Sequence, residues 1–229
     1  MIAIILAGGK GTRLRSEVPN LPKPMANING EPFLHYLLNY LSEKGFKKVI
    51  LSIGYLGQKI IDHFGYRYKN IEIFYELEKK PMGTGGAIKF CLKNVKEEYV
   101  FVLNGDSFSR FNPEKLIELA ESNHCKAVLA CCNISNTFRY GRVIVEDNII
   151  TSFEEKGHNK PGLISAGVYV LKKTALNDYK KTTFSIEEDF FFKEAEKRTL
   201  LAHIFDSYFI DIGTPEDYRK IEKEIKLIT

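Results

Sequence analysis

What this 229-residue sequence lacks removes several classes of function at once. It has only four cysteines, Cys91, Cys125, Cys131 and Cys132, and none is spaced Cys-x-x-Cys. The adjacent Cys131 and Cys132 lie in an apolar run, which predicts buried free thiols rather than a redox pair. No stretch approaches the ~18 consecutive apolar residues a membrane-spanning helix needs. Met1 leads directly into a strand pattern without the flanks of a secretory signal, so the cytoplasm is the expected location. Neither sign of charge dominates: 33 basic and 29 acidic residues give a net charge of +4, and no basic tract marks a nucleic-acid arm. No nucleic-acid or membrane partner is expected. His35, His63, His124, His158 and His203 are scattered without metal-ligand spacing, and none is assigned a role. There is no evident nucleophile–base pair, and no hexapeptide repeat of the kind that builds an appended β-helix.

What remains is an ordinary globular composition, 44% hydrophobic and 27% charged, in a length that suits one α/β domain. Short β-branched runs alternate with helical patterns, as in a mainly parallel sheet covered by helices. Ile2–Leu6 reads as a central strand buried on both faces. Helices are predicted at Phe33–Lys44, stopped by Gly45, and at Gly57–Phe64; strands are predicted at Lys48–Ile53, Ile71–Tyr75, Tyr99–Leu103 and Ala127–Cys132. Lys80 to Gly86 reads as a loop feeding a helix from about Ala87 to Lys93, and Pro113 starts a helix that continues to Ser122. A hairpin over Gly141–Val145 and Ile149–Phe153, then a strand at Leu163–Leu171, give the C-terminal part a mixed character. Ser185-Ile-Glu-Glu188 matches a capping box, and Thr214-Pro215-Glu-Asp217 has the N-cap, proline and acids of a helix start.

Two carboxylates far apart in sequence each end an apolar strand: Asp106, after Tyr99-Val-Phe-Val-Leu-Asn-Gly, and Asp211, within Tyr208-Phe-Ile-Asp-Ile-Gly-Thr. Open α/β sheets bind ligands at the carboxyl ends of their strands. Mg²⁺ takes one or two carboxylates and completes its shell with phosphate oxygens and water. Alternatively, Asp211 is a helix cap and Asp106 a turn residue. The loop Gly8-Gly-Lys-Gly-Thr-Arg13 lacks the ending of a P-loop and the third glycine of a dinucleotide fingerprint. It is still a strand-to-loop turn whose amides can approach an anion, with Arg13 as a bidentate phosphate donor and Lys23 held between Pro22 and Pro24. Lys156, after Phe153-Glu-Glu, reads either as a second phosphate ligand or as a solvated turn lysine. Together these residues suggest chemistry on a nucleoside triphosphate.

The same residues, in order, resemble the sugar-1-phosphate nucleotidyltransferases. Leu6-Ala-Gly-Gly-Lys-Gly-Thr-Arg-Leu14 with Leu21-Pro-Lys-Pro-Met25 resembles the family's signature loop. Pro81-Met-Gly-Thr-Gly-Gly-Ala87 resembles its nucleobase loop, and Leu103-Asn-Gly-Asp106 its metal strand. Phe153-Glu-Glu-Lys156, Ser165-Ala-Gly-Val-Tyr169 and Asp211-Ile-Gly-Thr-Pro215 resemble its sugar and second metal segments. The resemblance implies a single-domain, Rossmann-like (glycosyltransferase-A-like) α/β fold over 1–229 with a mixed, mainly parallel sheet, its nucleotide half about 1–135 and its sugar-phosphate half about 136–229. It implies that Leu6, Ala7, Gly8, Gly9, Gly11, Thr12, Glu78, Pro81, Gly83 and Thr84 bind the nucleotide. Arg13 and Lys23 would act on the reacting phosphates, and Asp106 and Asp211 would hold Mg²⁺. Asn104, Gly141, Glu155, Lys156 and Gly167 would bind the sugar phosphate.

Base choice turns on Glu78, which stands where UTP- and dTTP-using members often carry Gln. A carboxylate only accepts hydrogen bonds, and guanine offers N1–H and N2–H side by side, which favours GTP. Read instead as a solvated loop acid, Glu78 leaves the base open. Short length, Asn104-Gly-Asp106 and Phe184-Ser-Ile-Glu-Glu-Asp-Phe-Phe191 look most like the D-glycero-D-manno-heptose 1-phosphate guanylyltransferases of surface polysaccharide synthesis. The resemblance thus implies GMP transfer from GTP to a heptose 1-phosphate. Mannose 1-phosphate or a uridylyl or thymidylyl donor is the runner-up, and a non-catalytic nucleotide-sugar sensor the remaining alternative. Homo-oligomerisation is left open.

Overall fold

The computed structural model describes residues 1–9, 14 and 19–225. It forms two compact units, one of residues 1–81, 103–108 and 210 onward, the other of residues 82–102 and 109–209. Neither follows a single cut in the sequence.

The first unit begins with β1 (Ile2–Ala7), buried along almost its whole length. A 3₁₀ turn at Lys23–Met25 and the short strands β2 (Asn27–Ile28) and β3 (Glu31–Pro32) lead into α1 (Phe33–Glu43). That helix buries Phe33, Leu34, Leu37, Leu38 and Leu41 and ends before Gly45, whose φ of +78° a side chain would disfavour. β4 (Lys48–Ile53), α2 (Gly57–Phe64), β5 (Arg67–Tyr68) and β6 (Ile71–Leu77) follow. β1 pairs with β4 and β4 with β6, both in parallel, while β5 turns antiparallel onto β6. The parallel βαβ pattern expected from the sequence therefore lies here.

The second unit starts with α3 (Gly83–Leu92), four residues earlier than the sequence suggests. The glycines that read as loop open this helix and press against a neighbouring segment, as described below. β7 (Tyr99–Asn104) and β8 (Ser107–Ser109) come next in the chain, residues 103–108 being counted with the first unit, and α4 (Pro113–Ser122) begins where Asn112 accepts the Lys115 amide at 3.0 Å. β9 (Ala127–Ile134) precedes the hairpin of β10 (Arg142–Glu146) and β11 (Ile149–Glu154). Its turn residues Asp147 and Asn148 both have positive φ, as a two-residue primed turn requires. β12 (Gly162–Lys172) lies antiparallel on β9, with a register shift between Ser165 and Tyr169.

The predicted capping box at Ser185 forms in an altered way. The Glu188 amide donates to Ser185 Oγ at 3.2 Å, but the reciprocal bond from the Ser185 amide goes to Asp189 at 2.9 Å. A π turn at Glu187–Phe191 widens the first coil and brings the next acid round; α5 (Phe192–Glu196) continues from it. β13 (Leu201–Phe205), not anticipated from the sequence, pairs in parallel with β9, and this half runs in the order β10, β11, β13, β9, β12. β14 (Phe209–Asp211) pairs with β8, and α6 (Pro215–Glu224) closes the described chain with Thr214 as N-cap. No helix among the described residues is long and apolar enough to cross a membrane.

Candidate functional site

The first unit brings four of the expected site residues into two contacts. Lys23, fixed in its proline-flanked turn, donates from Nζ to Asp106 Oδ2 at 2.6 Å. The lysine side chain is 12% exposed and the aspartate 42%. A largely covered ammonium requires such a partner, because an unpaired buried charge is expensive. Asp106 is placed by its own strand end: the Gly105 amide donates to the Leu6 carbonyl at 3.0 Å, and a Cβ on Gly105 would stand 2.6 Å from that oxygen. Glycine is thus what lets the Asn104-Gly-Asp turn close onto β1.

Asp211 reaches the same neighbourhood by its backbone. The Ile212 amide donates to the Asp106 carbonyl at 2.9 Å, so the two predicted metal aspartates belong to adjacent turns. Oδ1 of Asp211 accepts the Gly213 amide at 2.6 Å, while Thr214, two residues before Glu216, is the actual cap of α6. The helix-cap alternative for Asp211 therefore passes to Thr214. Among the described residues no three His, Cys, Asp or Glu side chains converge to cage a metal. Two strand-end carboxylates suit a hard cation that draws its other ligands from phosphate and water.

The second contact joins Gly8 to Glu78. A Cβ on Gly8 would lie 2.4 Å from Glu78 Oε1, so a side chain here would have to push the end of that acid aside. Ser52 on β4 donates to the same oxygen at 2.9 Å, and the Glu78 amide donates to the Ile53 carbonyl at 2.8 Å. Leu6 and Ala7 end β1, Gly9 is exposed beyond it, and Pro81 is exposed at the end of this segment. Gly11, Thr12 and Arg13 lie outside the described residues.

In the second unit the predicted nucleobase loop is clasped by its own chain. The Gly85 amide donates to the Phe184 carbonyl at 3.0 Å, and a Cβ on Gly83, Gly85 or Gly86 would fall 2.5, 2.2 or 2.3 Å from Phe184 or Thr182 atoms. Gly83 also has a φ of +69°. Thr84 spends its hydroxyl within the protein, donating to Glu187 at 2.6 Å and accepting the Ile186 amide at 2.9 Å. The sequence reading missed Thr182, Phe184 and Glu187 as partners of this loop; the density of glycines in 83–86 was the available signal of a close approach.

Gly141 lies at the open end of the β10–β11 hairpin, with the Glu154 carbonyl 3.1 Å from where its Cβ would be. Glu155 and Lys156 follow β11 and are exposed, and Gly167 sits with φ +70° in the register shift of β12. Asn104 ends β7. Arg142 pairs with Glu154 at 2.6 Å across the hairpin. Burial pushes the Cys132 thiol up to about 12 and that of Cys131 up as well, consistent with the inert thiols expected.

Comparison with known proteins sets these residues in a wider frame. Residues 2–227 match the family model described as nucleotidyl transferase. The chain is 44% identical over 227 residues to a D-glycero-alpha-D-manno-heptose 1-phosphate guanylyltransferase of Aneurinibacillus thermoaerophilus, covering 99% of each chain. It is 48% identical over 220 residues to the enzyme of the same name from Campylobacter jejuni, covering 95% of this chain and 97% of that one. Among solved structures it resembles HddC from Yersinia pseudotuberculosis, with a TM-score of 0.89 and 37% identity over 98% of this chain and 99% of that one. For HddC complexed with GMP-PN the TM-score is 0.87 at 35% identity, over the same shares of the two chains.

Proposed function

This chain belongs to the nucleotidyl transferase family and has its single-domain α/β fold with a mixed sheet, and from that premise we propose that it transfers GMP from GTP to D-glycero-α-D-manno-heptose 1-phosphate. The near-full-length identity to two heptose 1-phosphate guanylyltransferases supports this reading, as does the likeness to a structure holding a guanine nucleotide analogue. The products are GDP-heptose and pyrophosphate. An oxygen of the sugar 1-phosphate attacks the α-phosphorus of GTP in line, and the bond from that phosphorus to the β-bridging oxygen breaks. The nucleophile is already an anion, so no side chain has to take a proton from it, and charge stabilisation dominates catalysis.

The observation that carries the reading is the Lys23–Asp106 pair, whose aspartate turn is bonded to the Asp211 turn. In this reading Lys23 and Arg13 neutralise charge on the reacting phosphates, and the Gly8–Thr12 loop follows the triphosphate. Asp106 and Asp211 hold Mg²⁺, which would neutralise charge on the triphosphate when bound. Glu78 accepts from guanine N1–H and N2–H, and Pro81, Gly83 and Thr84 also serve the nucleotide. Asn104, Gly141, Glu155 and Gly167 receive the sugar, and Lys156 takes its phosphate. The division of labour follows the chain, with nucleotide residues before about 135 and most sugar residues after it. We place the enzyme in the cytoplasm, supplying nucleotide sugar for surface polysaccharide.

Pyrophosphate release with each of GTP, UTP, dTTP, CTP and ATP, against heptose and mannose 1-phosphates, tests the proposal. Turnover only with GTP and the heptose 1-phosphate is expected. Turnover with UTP but not GTP would overturn the base assignment, preference for mannose 1-phosphate the sugar, and tight binding without turnover the activity itself.

A further inference from the structure

We propose that Ser52 is a positioning residue for base selection, acting through Glu78; the inference rests on the reading of Glu78 as the acid that accepts from guanine. Ser52 is the one polar side chain in the Val49–Ile53 stretch of β4, and it is fully buried. A hydroxyl in such a place must be hydrogen-bonded to be tolerated. Its bond runs to Oε1 of Glu78 at 2.9 Å.

Among the described residues, three constraints act on that acid. The Ser52 hydroxyl holds Oε1, the Glu78 amide is fixed to the Ile53 carbonyl on the same strand, and the bare Cα of Gly8 leaves room for Oε1 on the other side. The terminal torsion of a glutamate is otherwise broad and roughly two-fold. Holding one oxygen restricts the rotation of the carboxylate, and with it the directions in which the second oxygen can face. Guanine presents two parallel N–H donors, and a planar acceptor set beforehand at the right angle meets them without losing side-chain freedom on binding. Adenine offers an acceptor at N1 and inosine lacks the 2-amino donor, so a fixed carboxylate penalises both, whereas a rotating one turns away from the mismatch. Ser52 therefore contributes to discrimination without touching the nucleotide.

The test is calorimetric binding of GTP, ITP and ATP, each with Mg²⁺, to the full chain and to its Ser52→Ala, Ser52→Thr and Glu78→Gln variants, alongside thermal melting. Binding needs no sugar phosphate, so it does not depend on the sugar assignment. Losing a hydrogen bond to a charged group predicts that Ser52→Ala weakens GTP about tenfold and compresses the GTP-over-ITP and GTP-over-ATP ratios toward one. Ser52→Thr keeps the hydroxyl and is expected to keep the ratios. Glu78→Gln is expected to collapse both ratios. Equal weakening of all three nucleotides by Ser52→Ala, with Glu78→Gln still collapsing the ratios, would make Ser52 a packing residue and overturn the inference alone. Unchanged ratios in Glu78→Gln would overturn the base-reading role and the inference with it. Should Ser52→Ala fail to fold, Ser52→Cys, similar in size and a weaker donor, is read against the same ratios.

Discussion

The Lys23 ammonium lies 2.6 Å from Oδ2 of Asp106, so the proposed phosphate-binding cation and the proposed metal carboxylate are one electrostatic unit before any substrate arrives. Neither can be altered without changing the other. Lys23→Ala and Asp106→Asn should each lower kcat about 10²–10³-fold, the scale seen when a positioned charge stabiliser is removed. The double variant should lose much less than the product of the two, as for residues acting together. Pyrophosphate release on the three proteins, with melting curves to confirm folding, measures this.

Asp211 is held differently, by the Gly213 amide and by the bond between its turn and that of Asp106. Asp211→Asn keeps the side chain's shape but removes its charge. Turnover should fall steeply and the Mg²⁺ concentration for half-maximal rate should rise. A magnesium titration of wild type and variant reads both; near-normal activity at low Mg²⁺ would remove Asp211 from the metal set.

The glycines of the 83–86 loop should be structurally indispensable. In Gly86→Ala the new methyl would meet the Thr182 carbonyl, which is backbone, and in Gly85→Ala it would meet the Phe184 ring, stacked on Tyr179. Overpacking of this kind costs about 1–3 kcal/mol, and a chain of this length loses roughly 2–4 °C of melting temperature per kcal/mol. Gly9→Ala, where nothing among the described residues lies within 4 Å of the new methyl, is the control and should melt like wild type.

Acid stability should depend on Glu194. Burial works against its charge, but bonds from Lys197 and Thr199 and the charge of Lys126 hold its pKa below the usual carboxylate range. A carboxyl whose pKa falls on folding stabilises the protein above its unfolded pKa, and that contribution is lost as pH falls through the folded value. Glu194→Gln should therefore be less stable near neutrality by about 1–3 kcal/mol. The gap to wild type should narrow as the pH drops below about 4, the ordinary carboxylate range. Urea melts across that range give the two curves.

Most strands and helices were legible because their apolar periodicity agreed with their punctuation: β1, β4, α2 and α4 fall where Ile2–Leu6, Lys48–Ile53, Gly57–Phe64 and Pro113–Ser122 predicted them. The failures share one cause, structure imposed by distant chain. Glycines 83, 85 and 86 read as loop, yet they lie in the first turn of α3, and they are glycines because Thr182 and Phe184 leave no room for side chains. β13 escaped notice because Leu201-Ala-His-Ile-Phe205 is a short run whose strand character comes from pairing with β9. In the candidate site, Asp106 and Asp211 were visible as strand-end acids, whereas Ser52 was not. A serine in an apolar strand carries no signal until the oxygen it faces is known.

The unit holding both aspartates is stitched from three separated segments, and its seam, the Ile212–Asp106 bond, joins residues roughly a hundred positions apart. Loop-closure entropy must be met before such a contact returns anything, which makes this a late event in folding. During synthesis the chain has Lys23 and Asp106 in hand long before Asp211 leaves the ribosome. The proposed metal pair is therefore completed only after the whole 107–210 stretch has been made, and a product terminated before Asp211 would carry Lys23 and Asp106 without their proposed partner carboxylate.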